Sequence, residues 1–343
     1  MLPRQSLEQY VAQVVDAAPR RLSLAHGVPA DLAAWQQQFR DALVAALGID
    51  PAARSLAEAE VFSEREFEGY VRQYVRLYSD NGLVFPAFLF IPNSAVEGGR
   101  VPALLALHGH GTGKNIPAGF EVDVKGSPVQ IAGERNYAVQ AALRGYLALA
   151  PDQLGFGELM LEEDMTAKRG SSCDQFSMRC MMSGTTALGQ RVLQSMICLD
   201  FLAGMTEVDE TRLVVMGQSG GGTTSLFTGA VDQRVWATVP SCYFCTFRHS
   251  ILAMAHCSCN YVPRLLEEGE MYDVAALIAP RLLYVIAGRE DPIFPIEGVE
   301  VAYAKVQEAY EALDASTNLG LYVGPEGHRF YAAEVWDWLA QRL

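Results

Sequence analysis

An α/β class is what this sequence predicts: a mostly parallel, eight-stranded sheet with helices on both faces and an N-terminal helical extension. Three observations carry that expectation. Beyond about residue 100, short apolar runs alternate with segments of helical period. The runs are almost continuous in Val, Leu, Ile and Ala, the mark of strands buried on both faces. One of them, Leu213-Val-Val-Met-Gly217, passes straight into Gln218-Ser219-Gly220-Gly221, with helix-compatible residues as far as Ala230.

In chain order, residues 5–17 carry an apolar face at Val11, Val14 and Val15. A second helix over 30–47 presents Leu32, Trp35, Phe39, Leu43 and Leu47, and Gly48 stops it. From Tyr70 the period becomes two. The turn signal Asn81-Gly82 then folds Tyr70–Tyr78 back onto Leu83–Ile91 as an antiparallel hairpin. Parallel strands are expected at 102–107, 145–150, 212–217, 234–240, 281–287 and 318–323. Helices are expected at about 134–143, 188–204, 219–230, 297–313 and 330–342. This divides the chain into an N-terminal helical extension (1–67) and one catalytic domain (68–343). Two connections, about 152–187 and 241–279, are too long for simple loops and read as covers over a site.

The 343 residues carry a formal net charge of −14 and are 50% hydrophobic. A surface that acidic argues against nucleic acid, since phosphate binding needs cations, and against anionic membranes. No apolar stretch approaches the ~18 residues of a membrane span. The first ten residues lack an apolar export segment, so the expected location is the cytoplasm and the seven cysteines are expected to be thiols.

Gly217-x-Ser219-x-Gly221 at a strand-to-helix turn holds a serine hydroxyl exposed and available for nucleophilic attack. Such a serine needs a base. Of the six histidines, only His328 follows the presumed last strand, in the tight loop Gly324-Pro-Glu-Gly-His328. An orienting acid belongs after the penultimate strand. There Gly288-Arg-Glu-Asp-Pro292 offers Asp291, with Glu290 as its neighbouring rival; Pro292 pins the loop and favours Asp291. The order serine, aspartate, histidine is that of the nucleophile-elbow arrangement. Oxyanion donors are expected from the N–H of Gly220 and, in the turn His108-Gly-His-Gly111, from that of His110. Glu158, Tyr243 and Phe244 are candidate substrate contacts, and His108 a structural residue of its turn.

His108-Gly-His-Gly111, Asp152-Gln-Leu-Gly-Phe-Gly-Glu158, Gly217-Gln-Ser-Gly-Gly221, Ile278-Ala-Pro-Arg281, Gly288-Arg-Glu-Asp-Pro-Ile-Phe-Pro295 and Gly327-His328 resemble the α/β-hydrolase superfamily, nearest its dienelactone-hydrolase and acetyl-xylan-esterase-like branch. The resemblance spans about residues 68–343. It implies an α/β-hydrolase fold, a charge-relay set of Ser219, Asp291 and His328, and cleavage of carboxylic esters without a cofactor. Dienelactone hydrolases proper use a cysteine nucleophile; serine here shifts the reading toward an esterase acting on a small-molecule ester, with small acyl groups favoured by resemblance. Rival readings on the same residues are acyl transfer to an alcohol or amine and carbon–carbon bond hydrolysis. A non-catalytic binding module would be expected to lack one of the three residues. Residues 1–67 could pack on the sheet edge, cover the site or make a homo-oligomer contact. Cys242-x-x-Cys245 and His256-Cys257-x-Cys259 stay open between thiols, a disulfide and a metal site; no metal is assigned, because Cys257 and Cys259 are too close in sequence for a standard second ligand pair.

Overall fold

The computed structural model of the chain describes residues 6–343 apart from 97 and 123–126. Its main sheet has nine strands: β1 (Leu56–Phe67), β2 (Tyr70–Ser79), β3 (Val84–Pro92), β4 (Val101–Leu107), β5 (Leu147–Pro151), β6 (Val208–Gln218), β7 (Val235–Ser241), β8 (Leu282–Gly288) and β9 (Leu319–Gly324). Their order across the sheet is β1-β2-β3-β5-β4-β6-β7-β8-β9. The first three strands and the β3–β5 junction are antiparallel. From β5 to β9 every neighbouring pair is parallel.

The hairpin turn forms as its chemistry dictates. Gly82 takes φ 81°, which glycine adopts without steric cost, and its N–H donates to Ser79 O at 2.9 Å. The ninth strand corrects the expectation of eight, and it lies within the segment expected to be helical. β1 forms the sheet edge and pairs with β2. Its alternation is broken by a register shift between Val61 and Ser63, and its residues from Glu58 to Glu66 are exposed. The strand therefore carries no buried apolar row. Glu58, Glu60, Glu64 and Glu66 line it instead, charge of the kind that discourages edge-to-edge pairing.

Helices cover both faces. On one side α2 (Leu32–Leu47), α5 (Ala187–Ala203), α6 (Gly220–Val231), α7 (Met271–Ala276) and α8 (Ile296–Ala312) bury Phe39, Leu43, Val192, Phe227, Val274 and Val306 together. On the other, α3 (Tyr137–Ala142) and α9 (Val335–Ala340) pack Tyr137, Trp336 and Leu339 against Leu104, Val214 and Tyr284. α1 (Leu7–Asp16) buries none of its residues. α4 (Cys173–Met182) lies within the first cover segment. Because β4, β6, β7, β8 and β9 run parallel, the loops at their carboxyl ends all emerge along one edge of the sheet.

Candidate active site

The apolar strand β6 delivers Ser219 to that edge. The residue has φ 58° and ψ −122° and is the N-cap of α6, a backbone state an L-residue holds only when its surroundings impose it. They do. Ser219 N–H donates to Ser241 O on β7 at 2.8 Å. A β-carbon on Gly221 would lie 1.8 Å from Leu107 O, and one on Gly217 2.4 Å from Gly221 O. Both positions exclude any side chain, so the glycines are required by the approach of strand and helix.

The turn after β4 meets this elbow. A β-carbon on Gly109 would stand 2.8 Å from Gln218 O and 3.1 Å from the Ser219 β-carbon. The turn is held from beneath by His108, which is fully buried. Its Nδ1 donates to Gly109 O (2.7 Å) and its Nε2 accepts from Gln153 N–H (2.9 Å). Gln153 in turn bonds His108 O and accepts from Thr224 Oγ1 at 2.6 Å. Burial pushes the His108 imidazole down to about 4, so it stays neutral. Among the described residues, the N–H groups of His110 and Gly220 meet no acceptor outside their own elements. The Gly220 N–H is also one of the orphan donors of the α6 N-terminus.

Asp291 and His328 come together from the loops after β8 and β9. His328 Nδ1 lies 2.8 Å from Asp291 Oδ2, and the Asp291 side chain is fully buried. The other carboxylate oxygen accepts the N–H groups of Ile293 (2.9 Å) and Phe294 (3.2 Å). This fixes both the carboxylate and the tautomer: the proton sits on Nδ1 and Nε2 is left as the basic nitrogen. Phe294 stacks on the imidazole, with centroids 5.9 Å apart and planes within 20°. Glu290 instead extends the loop through its backbone, donating N–H to Glu326 O.

Ser219, Gly220, His110 and His328 line one cavity of about 420 Å³. Ser219 and His328 line this cavity without a hydrogen bond between them, and neither Ser219 Oγ nor His328 Nε2 has another partner among the described residues. Such bonds often tighten only once substrate is bound. The second cover contributes Met254, His256, Cys257 and Asn260 to the wall, and Arg135, Thr223, Ile293 and Phe294 complete much of the rest. Sequence reasoning did not single out Arg135, Asn260 or Phe294. Only Phe294, inside the Gly288–Pro295 motif, carried a signal that could have found it.

Three candidate contacts lie elsewhere. Glu158 does not line the cavity: it accepts from Lys114 Nζ (2.5 Å) and Tyr74 Oη (2.9 Å). Lys114 is buried and also pairs with Asp152 at 2.8 Å. Burial alone would lower the lysine's pKa; Asp152 and Glu158 outweigh it and raise it. Tyr243 and Phe244 are fully buried in the core beneath α2, α5, α6, α7 and α8, because the chain turns inward immediately after β7. The two cysteine pairs also separate. Cys242 donates its thiol to Arg329 O beside the His328 loop (3.0 Å) and Cys245 faces Pro295 O, whereas Cys257 and Cys259 gather with Cys173 and His110.

A family described as "Abhydrolase family" matches residues 11–316. The "Putative hydrolase YtaP" of Bacillus subtilis (strain 168) is 25% identical over 248 residues, which is 71% of this chain and 77% of that protein. Among solved structures, a "putative acetyl xylan esterase" from Bacteroides fragilis NCTC 9343 superposes with TM-score 0.81 at 19% identity, covering 99% of this chain and 96% of the other. A glucuronoyl esterase from Solibacter usitatus gives TM-score 0.68 at 16% identity over 98% and 97%. Those likenesses extend to the fold.

Proposed function

Because the chain belongs to the Abhydrolase family, we propose that it is a serine-dependent hydrolase of carboxylic esters, with Ser219, His328 and Asp291 as a catalytic triad. The observation that carries this reading is the meeting of three loops at one cavity: a strained serine on its elbow, an imidazole with Nε2 free, and a buried carboxylate on the far nitrogen.

Ser219 Oγ attacks the acyl carbonyl while His328 Nε2 takes its proton. Asp291 keeps the imidazole in that tautomer and stabilises the cation that forms. The N–H groups of Gly220 and His110 hold the developing alkoxide, where each well-placed donor contributes ~3 kcal/mol. His328 returns the proton to the departing alcohol, and a water activated by the same base releases the acid. Nothing in these steps calls for a cofactor.

A volume of about 420 Å³ suits a small-molecule ester. The cavity wall mixes Arg135 and Asn260 with Phe294 and Ile293, which favours a short acyl group on a polar alcohol, in keeping with the acetyl-ester branch that the sequence motifs resemble. The proposed location is the cytoplasm, supported by seven cysteines that are all free; no helix among the described residues is long and apolar enough to cross a membrane. The test is a panel of acetyl sugars, aryl esters, uronate esters and lactones, with acid and alcohol products quantified and a competing alcohol or amine added. Turnover of at least one ester class by wild type and its loss in Ser219→Ala supports the reading. Products formed only with the added acceptor would reassign the protein to acyl transfer, and no turnover across the panel would count against ester hydrolysis.

A further inference from the structure

Three thiols and one imidazole converge next to the proposed oxyanion turn. Cys173 from the first cover, Cys257 and Cys259 from the second, and His110 bring their Sγ and Nε2 atoms all within 4.8 Å of one another. His110 Nε2 lies 3.8 Å from Cys173 Sγ and 3.8 Å from Cys259 Sγ, and Cys257 and Cys259 Sγ are 3.1 Å apart. Zn–S bonds of roughly 2.3 Å and a Zn–N bond of roughly 2.0–2.1 Å generate tetrahedral edges of roughly 3.6–3.8 Å, which the two His110–cysteine approaches match, while Cys257 and Cys259 would separate from 3.1 Å as they take up the ion. From this geometry we propose that Cys173, Cys257, Cys259 and His110 bind a structural Zn²⁺ that clips both covers to the His108–Gly111 turn.

A second, independent observation concerns charge. Arg191 is buried, its Nε donates to Leu154 O at 2.9 Å and its Nη2 lies 3.3 Å from Cys173 Sγ. Among the described residues no carboxylate pairs with it. A buried guanidinium needs a counter-charge. Zn²⁺ with three thiolates and a neutral imidazole carries −1, which Arg191 balances. Zinc binding converts three thiols to thiolates, their protons going to solvent, and takes the Nε2 lone pair of neutral His110. The first cover places no side chain on the cavity wall; this cluster is how it reaches the site. His110 is held on its other side by Phe156, whose ring meets the imidazole edge-on at 5.1 Å.

The metal content does not depend on the esterase reading, although the clip's effect on catalysis does. The test uses full-length protein purified without a polyhistidine tag and under reducing conditions. Elemental analysis is expected to find about one zinc per chain, retained through dialysis, in wild type, Ser219→Ala and Cys245→Ser alike. It is expected to fall at least tenfold in Cys257→Ser and Cys173→Ser. Cobalt(II) exchanged into wild type should give the absorption of a tetrahedral thiolate complex. Should a cysteine variant fold poorly, wild type alone decides: stripping zinc with a chelator should lower Tm and expose three further thiols to a thiol-reactive dye. Folded, reduced wild type that takes up neither zinc nor cobalt would overturn the proposal, as would metal retained in both cluster variants, or peptide mapping that finds a disulfide joining two of the three cysteines in the reduced, metal-supplemented protein.

Discussion

Replacing Asp291 by Asn changes one atom and should remove most of the activity. In the wild type Oδ1 accepts the N–H groups of Ile293 and Phe294, while Oδ2 receives the Nδ1 proton of His328 at 2.8 Å. An asparagine keeps its oxygen on those two backbone donors and thereby turns its NH₂ toward Nδ1. Nδ1 must then accept, the imidazole proton moves to Nε2, and the base facing Ser219 is lost. The side chain is fully buried, so water cannot restore the original tautomer. A wrong tautomer of this kind costs about 10⁴ in kcat, or about 5.5 kcal/mol of transition-state stabilisation. The assay is kcat/KM on the best ester of the panel, with Tm and circular dichroism to show that the variant remains folded. A folded Asp291→Asn within tenfold of wild type would refute the role given to this carboxylate; a matching collapse in Glu290→Gln would point to the neighbouring acid.

Further consequences follow from burial and packing. Lys114→Met leaves the Asp152 carboxylate buried without its cation and should destabilise the fold by about 3–5 kcal/mol, read as a fall in denaturant midpoint; an unchanged midpoint would show that the pair adds nothing. Gly221→Ala forces a β-carbon to within 1.8 Å of Leu107 O, so soluble folded yield should collapse, and a well-folded, active variant would contradict the elbow's geometry. His108 has its pKa depressed to about 4 by burial, against about 6.5 in an unfolded chain. The folded state thus binds fewer protons, and stability is complete above pH 6.5 and lost as pH falls toward 4, by roughly 3 kcal/mol. His108→Gln should flatten the pH dependence of the denaturant midpoint between those limits, and an identical slope in both proteins would refute the assignment.

Much of the architecture was legible because buried parallel strands announce themselves as short apolar runs. β4 through β9 each fell within a few residues of its expected span, and the elbow, acid loop and histidine loop follow from position along that alternation. β1 was not legible, for a physical reason: an edge strand exposed on both faces and interrupted by a register shift has neither apolar rows nor strict alternation. Glu158 sits on the expected loop, yet a buried lysine 44 residues earlier in the chain draws it away from the cavity. Tyr243 and Phe244 follow a strand like the other site residues, but the chain dives inward there. The Cys173–His110 and Cys259–His110 approaches bridge sequence separations of 63 and 149 residues, and no local spacing encodes such a meeting.

The central claim, that Ser219 is a nucleophile made reactive by its elbow and by His328, is tested most directly by intact-mass analysis after incubation with a fluorophosphonate. A single adduct mapped to Ser219 in wild type, absent in Ser219→Ala and formed far more slowly in His328→Ala, is the predicted result. Folded wild type that stays unlabelled, or carries the label at another residue, would contradict it.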